Sequence, residues 1–243
     1  MGKKEIYSSL IGAGMTPQGA CAMLGNMMAE SALRANNAQD GMTSMSDEAY
    51  TAAVDNGTYQ KFVKDAVGYG LCQWTFFSRK GALLEYAKSR GKSIGDEQMQ
   101  TEFCIKELKS DYLPLWNSLC KTDDLYNATA RICTEYERPA VNNISARYSF
   151  AQQLFAELTT APTAEELAEI EALNQSSNSQ AGNISNTNAP ASNPLKGKLT
   201  NETVLHLQVL LKTYGYDFGT IDGIIGNKTK AALKAFTADF CEV

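Results

Sequence analysis

Two short segments carry residue types suited to chemistry on a sugar polymer. The first, Gly25-Asn26-Met27-Met28-Ala29-Glu30-Ser31, reads as the end of a helix bearing a lone carboxyl. Around that helix Glu30 sits about 60° from Met27 and about 20° from Met23, at the edge of the apolar face. Apolar surroundings disfavour the ionised form of a carboxyl, so such a group can keep its proton near neutral pH. Protonating the leaving oxygen of a glycosidic bond needs a proton held in this way. A glutamate near a helix C-terminus opposes the helix dipole, so helix stability does not account for it. The plainer reading of Glu30 alone is a solvated helix end.

The second segment is Gly68-Tyr69-Gly70-Leu71-Cys72-Gln73-Trp74-Thr75. Its glycines permit tight turns and close approach of a ligand. Gln73 offers a donor and an acceptor to hydroxyl and N-acetyl groups. Tyr69 and Trp74 offer aromatic faces to pyranose rings. The plainer reading is a turn packed by two aromatics.

Helices must position both segments. Thr16 followed by Pro17 predicts a helix start, with Ala20, Met23, Leu24 and Met27 on one face. Further helices are predicted over 79–90 with Gly91 as the stop, over 96–109, over 123–136 ended by Pro139, and over 145–158. No alternating strand appears, although a short hairpin between 36 and 70 is allowed. A short acidic helix over 163–173 is expected to precede a stretch, 174–194, made almost wholly of Asn, Ser, Gln, Thr, Ala, Gly and Pro. That stretch has too little apolar area to offset its chain entropy and reads as a linker. Two more helices are predicted at 200–214 and 227–240, around a turn-rich loop.

The composition excludes several classes of function. The net charge is −5 over 243 residues, with 16 basic and 18 acidic side chains in 1–160. No basic patch argues for nucleic acid. No apolar run is long enough to cross a membrane, and the N-terminus lacks the apolar stretch of a secretory leader. If the protein works outside a cell, something else must release it. The one histidine, His206, lies outside the first 160 residues. That argues there against His-ligated zinc peptidases and against cysteine peptidases, whose thiol needs a His. Cys21, Cys72, Cys104, Cys120, Cys133 and Cys241 show no C-x-x-C spacing and read mostly as buried free thiols. Nothing calls for a metal or cofactor.

Glu30-Ser31 followed by Gly70-Leu71-x-Gln73 resembles the Glu-Ser … Gly-Leu-x-Gln pairing of goose-type lysozymes and soluble lytic transglycosylases. The longer pattern is similar to the phage tail-type lysozyme family. It comprises Glu30-Ser31-Ala32-Leu33-Arg34, Tyr69-Gly70-Leu71-Cys72-Gln73-Trp74-Thr75, Arg79-Lys80 and Tyr136-Glu137-Arg138-Pro139. The resemblance spans roughly 5–158 and implies a helical lysozyme-like fold with Glu30 as general acid. Goose-type lysozymes carry an aspartate shortly before Gly-Leu-x-Gln, which points to Asp65 as the base, with Asp40 and then Glu137 behind it. Tyr69, Gln73, Trp74 and Glu137 are the expected substrate contacts. As a base, Asp65 would be as indispensable to hydrolysis as Glu30.

Near the C-terminus, Val204-x-x-Leu207-Gln208-x-x-Leu211 and Ile221-Asp222-Gly223-Ile224-Ile225-Gly226-x-x-Thr229-x-x-Ala232-Leu233-x-x-Phe236 resemble a three-helix peptidoglycan-binding domain. Asp222, Gly223, Gly226 and Thr229 are the wall-binding candidates by that resemblance. That family usually has Gln after the final Phe, where this chain has Thr237. The expected organisation is mainly α: a catalytic domain over 1–160, the acidic helix and linker over 161–195, and a wall-binding module over 196–243. The expected activity is cleavage of the β-1,4 bond between N-acetylmuramic acid and N-acetylglucosamine in bacterial peptidoglycan. A lytic transglycosylase giving 1,6-anhydro ends and a non-catalytic wall-binding or phage structural protein are the alternatives. The sequence leaves the oligomeric state open.

Overall fold

A computed structural model describes residues 2–159 and, further on, 204, 207–208, 211–212, 215–221 and 224–240. The chain divides into two compact units after Leu158. The first is helical: α1 (Lys3–Ala13), α2 (Pro17–Ser31), α3 (Asp47–Asp55), α4 (Phe77–Arg90), α5 (Glu97–Asp111), α6 (Leu113–Leu119), α7 (Leu125–Arg131), a π-helical turn (Ile132–Glu137) and α8 (Ile144–Thr159). The only strand-like pairings among the described residues are isolated bridges, Ala38 with Tyr69 and Tyr69 with Trp74.

Helix α2 is the axis of this unit. The Thr16 hydroxyl accepts from Gly19 N at 3.0 Å, and Pro17 opens the helix, as its sequence predicts. Ala20, Cys21, Ala22, Met23, Leu24 and Met27 are fully buried, so the helix is covered on more than the one face the periodicity implies. Gly25 makes close packing against α8 possible. A Cβ there would lie 2.7 Å from both Ala151 Cβ and the Arg147 carbonyl oxygen, nearer than any side chain is tolerated. The approach of α8 is what brings Arg147 alongside the end of α2.

The predicted helices over 79–90, 96–109 and 145–158 form within two residues of their expected ends. Asp96 caps α5 by accepting from Met99 N at 2.8 Å. The helix expected over 123–136 differs. It is α-helical to Arg131, then widens into the π turn, closed by Arg138 N donating to Cys133 O at 2.8 Å. Arg138 then turns left-handed, at φ 51°, directly before Pro139, which cannot continue a helix. Single π turns of this kind concentrate at functional sites. Helices α1, α3 and α6 are not anticipated by the sequence reading. In α1 the apolar pattern is present, with Ile6, Tyr7, Leu10 and Ile11 buried on one face, but Gly12 and Gly14 obscure it. Gly14 is the left-handed C-cap, at φ 119°.

In the second unit, Leu207, Leu211, Phe218, Ala232, Leu233 and Phe236 form a core, with α9 (Asn227–Phe240) supplying the last three. Gln208 is buried and donates to Ile224 O at 3.0 Å and to Thr229 Oγ1 at 3.3 Å. The predicted helix over 163–173 and the linker lie outside the described residues.

Candidate active site

The end of α2, the loop 68–75, the start of α4 and the π turn meet at a cleft of about 1110 Å³. Glu30, Gln73, Arg79, Tyr112 and Glu137 all line it. Ala32 and Leu33 end α2 with left-handed conformations, at φ 51° and 59°. Glu30 is thus on the last turn of a helix that the core holds rigidly. The Ser31 hydroxyl donates toward Met27 O and Leu71 O, both at 3.1 Å, and fastens the helix end to the loop. This explains physically why Ser follows Glu in the first segment, the second contributing a backbone carbonyl.

The loop is braced from beneath by Gln100 of α5, which is fully buried. Its Oε1 accepts from Leu71 N at 2.9 Å, and its Nε2 donates to Ala35 O and Ile94 O, both at 2.6 Å. Gly70, at φ 75°, lies so close to this amide that a Cβ would come within 2.4 Å of Gln100 Oε1. Gln73 also has a positive φ, 44°, and donates Nε2 to Asn37 Oδ1 at 2.8 Å and to Gly70 O at 3.1 Å. Its amide nitrogen therefore serves the loop, while the residue borders the cleft.

Four carboxyl residues, Glu30, Glu107, Asp111 and Glu137, line the cleft, and Glu30 and Glu137 lie in opposite surroundings. Glu30 Oε1 accepts from Arg147 Nη2 at 2.6 Å. Arg147 Nη1 also donates to Asn26 Oδ1 at 3.2 Å, which locks the guanidinium between α2 and α8. Glu137, at the end of the π turn, has its Oε1 buried with no hydrogen-bond partner. The residue as a whole is part-exposed and lines the cleft, so it is this one oxygen that is shut from water. Burial, reinforced by the nearby Glu30 charge, pushes Glu137 well above the usual carboxylate range.

In the wall of the cleft lies a network centred on Glu107, which the sequence alone does not single out. Glu107 accepts from Arg79 Nε and Nη2, both at 2.7 Å, from Tyr136 OH at 2.7 Å and from Trp74 Nε1 at 3.1 Å. Burial would raise the Glu107 carboxyl, but the Arg79 guanidinium, Tyr136 and Trp74 outweigh it and hold the group below its ordinary value. Arg79 Nη1 reaches Tyr136 O at 3.4 Å, next to Glu137, and the guanidinium lies 4.5 Å from the Tyr136 ring centroid. Glu107 lies on the buried face of α5, one turn after Phe103, and a carboxyl at such an apolar-face position is the signal that could have marked it.

Three sequence assignments are corrected by position. Asp65 does not line the cleft. Its side chain is buried and accepts from Lys80 Nζ and Tyr50 OH, each at 2.5 Å, and from Tyr59 OH and Val67 N, each at 3.0 Å. Burial would raise its pKa, and Lys80, Tyr50 and the Val67 amide together hold it low instead. With four donors satisfied, it has no oxygen left to take a proton from water in the cleft. Asp65→Asn is expected to act on folding, costing about 3 kcal/mol because Lys80 is left buried without its counter-charge. Chemical denaturation checks the cost, and activity per folded molecule should stay near wild type.

Tyr69 and Trp74 are the other two corrections. Both are fully buried. Tyr69 OH bonds with Thr51 Oγ1 at 2.6 Å, and Trp74 packs edge-on against Phe103. They hold the loop and offer no face to a sugar. Asp40 is exposed and outside the cleft. In the second unit, Thr229 is buried and bonded to Gln208, while Gly226 is exposed at the start of α9. Asp222 and Gly223 lie outside the described residues. Cys21, Cys72, Cys104 and Cys133 are buried free thiols, and Cys120 is free and half-buried. Cys241 is outside the described residues.

The chain thus combines a helical unit that presents a glutamate at a helix end into a carboxyl-lined cleft with a second, smaller unit. Residues 2–158 match the family described as phage tail lysozyme, and residues 200–241 match a putative peptidoglycan binding domain. The chain belongs to the phage tail lysozyme family, with peptidoglycan as its substrate partner. A search of curated proteins finds no match.

Proposed function

We propose that this chain is a muramidase of the endolysin type, hydrolysing the β-1,4 bond between N-acetylmuramic acid and N-acetylglucosamine with Glu30 as general acid. The observation that carries this reading is the place of Glu30, on the last turn of α2 in a cleft that a second carboxyl, Glu137, also lines. Glycoside hydrolysis uses two carboxyls held in different protonation states. Glu137 replaces Asp65 as the second. The C-terminal unit raises the local concentration of glycan around the cleft without altering the chemistry.

Mass spectrometry of the soluble fragments from purified peptidoglycan tests the bond. Reducing N-acetylmuramic acid ends support the muramidase. Anhydro ends would assign the chemistry to a lytic transglycosylase, and reducing N-acetylglucosamine ends would move the cut to the other bond.

The opposite surroundings also favour a second reading, in which Glu137 stores the proton and Glu30, paired with Arg147, is the ionised partner. An aryl glycoside whose leaving group needs no protonation separates the two. The variant lacking the acid keeps its activity on that substrate, whereas the variant lacking the ionised partner is rescued by azide.

Glu137→Gln has a stability signature of its own. Burial raises the folded-state pKa, so the unfolded chain ionises first as the pH rises above about 4.3, and wild-type stability falls from there. The Gln variant escapes this. It is expected to melt above wild type at pH 7, with the gain shrinking toward pH 4, while glycan release is lost. Thermal melts at both pH values check the sign.

A further inference from the structure

We propose that Phe76 and Phe77 form a saccharide-binding platform at the rim of the cleft, which takes an aminosugar ring of the glycan strand beyond the bond that is cut. This rests on the muramidase reading and adds to it a subsite built from residues outside the carboxyl pair.

The two rings are 62% and 58% exposed, and both line the same cleft as Glu30 and Glu137. Their centroids are 4.6 Å apart with planes at 46°, so they present one continuous bent apolar surface. Among the described residues each has only the other as an aromatic neighbour.

Neither residue belongs to the buried core. Phe76 occupies the N-cap of α4, where Ser, Thr, Asp or Asn would be preferred, and no side chain caps that helix. Thr75, one residue earlier, spends its hydroxyl on Gln73 O at 2.8 Å. Two adjacent large apolar side chains are thus left in water at a helix start that goes uncapped. Positions that break local preference without a packing return are where function is to be sought.

The chemistry of the site selects a sugar. Binding clefts combine aromatic faces with a few polar groups that fix orientation. A pyranose ring has an apolar face of axial C–H groups that lies on an aromatic plane. Its hydroxyl and acetamido oxygens are acceptors for the Ser78 and Arg79 amides, which an N-cap side chain would otherwise occupy. The platform also supplies the stacking faces that Tyr69 and Trp74, buried in the loop, cannot offer.

The test uses the full chain carrying Glu30→Gln, so that ligand is not turned over. Calorimetry measures its affinity for a soluble, peptide-free tetrasaccharide of alternating N-acetylglucosamine and N-acetylmuramic acid. Adding Phe76→Ala and Phe77→Ala is expected to weaken binding about tenfold or more. The melting temperature should hold, because the rings are exposed. Adding Phe76→Trp and Phe77→Trp instead should retain the affinity. Unchanged tetrasaccharide affinity in the Ala variant overturns the platform. So does a change confined to binding of phosphatidylglycerol vesicles or to oligomeric state, which would assign the rings to a membrane or to a second copy. The fragment analysis tests the muramidase reading separately, so either can fail without the other.

Discussion

Glu30→Gln is expected to abolish release of soluble glycan fragments, by a factor of about 10²–10⁴ or more, while leaving a folded protein. The loss is chemical, because a glutamine can neither give nor take the proton. The fold should survive because the substitution keeps an oxygen where Glu30 Oε1 now accepts from Arg147 Nη2. Asn26 Oδ1 remains as the second acceptor for the same guanidinium. The cost is then that of weakening one buried charge-assisted hydrogen bond, about 1–3 kcal/mol. Fragment release from purified peptidoglycan and a thermal melt, taken together, check both halves. Near-normal release from a folded Glu30→Gln protein would remove Glu30 from the chemistry and leave Glu137 as the essential carboxyl.

Glu107→Gln should do the reverse, acting on the scaffold first. The carboxylate is the common acceptor for Arg79, Tyr136 and Trp74, and it is buried with them. A glutamine has one oxygen for four donor bonds, and its amide turns a donor toward the Arg79 fork. Arg79 is left largely buried without its counter-charge, at a cost of about 3–5 kcal/mol. Activity falls as well, because Arg79 holds Tyr136 O beside Glu137 and Trp74 anchors the loop that carries Gln73.

The pH dependence identifies the group. Glu107 has its folded-state pKa held low, so its contribution is complete above about pH 4.3 and is lost as the pH falls through the lower folded value. Urea midpoints should fall with acid in wild type and be flatter in the variant over that range. An equally steep acid loss in Glu107→Gln would assign the effect to other carboxylates. Glu137 contributes with the opposite sign, so the two substitutions together bracket the electrostatics of the cleft.

Much of this was legible along the chain because it is encoded locally. Thr16-Pro17 and Asp96 mark helix starts through their own side chains, and Gly91 marks an end by its left-handed φ of 61°. The pairing of Glu30-Ser31 with Gly70-Leu71 was readable through the family resemblance, and in the fold one hydroxyl joins them directly. The role of Asp65 was not, because four donors from Tyr50, Tyr59, Val67 and Lys80 surround it only after folding. Tyr69 and Trp74 fail as sugar faces for the same reason. An aromatic residue looks alike in sequence whether it is a platform or a core, and burial alone separates the two.

The sequence by itself determined the helical class, the family, the wall-binding module and the motif glutamate, since each depends on residue type and spacing over a few turns. The tertiary structure decided which carboxyls share the cleft with Glu30, what surrounds Glu30 and Glu137, and which aromatics face the cleft. Those depend on α8 crossing α2 at Gly25 and on a π turn delivering Glu137, contacts between segments more than a hundred residues apart. Charge states and exposure are set by such neighbours, and no local pattern carries them.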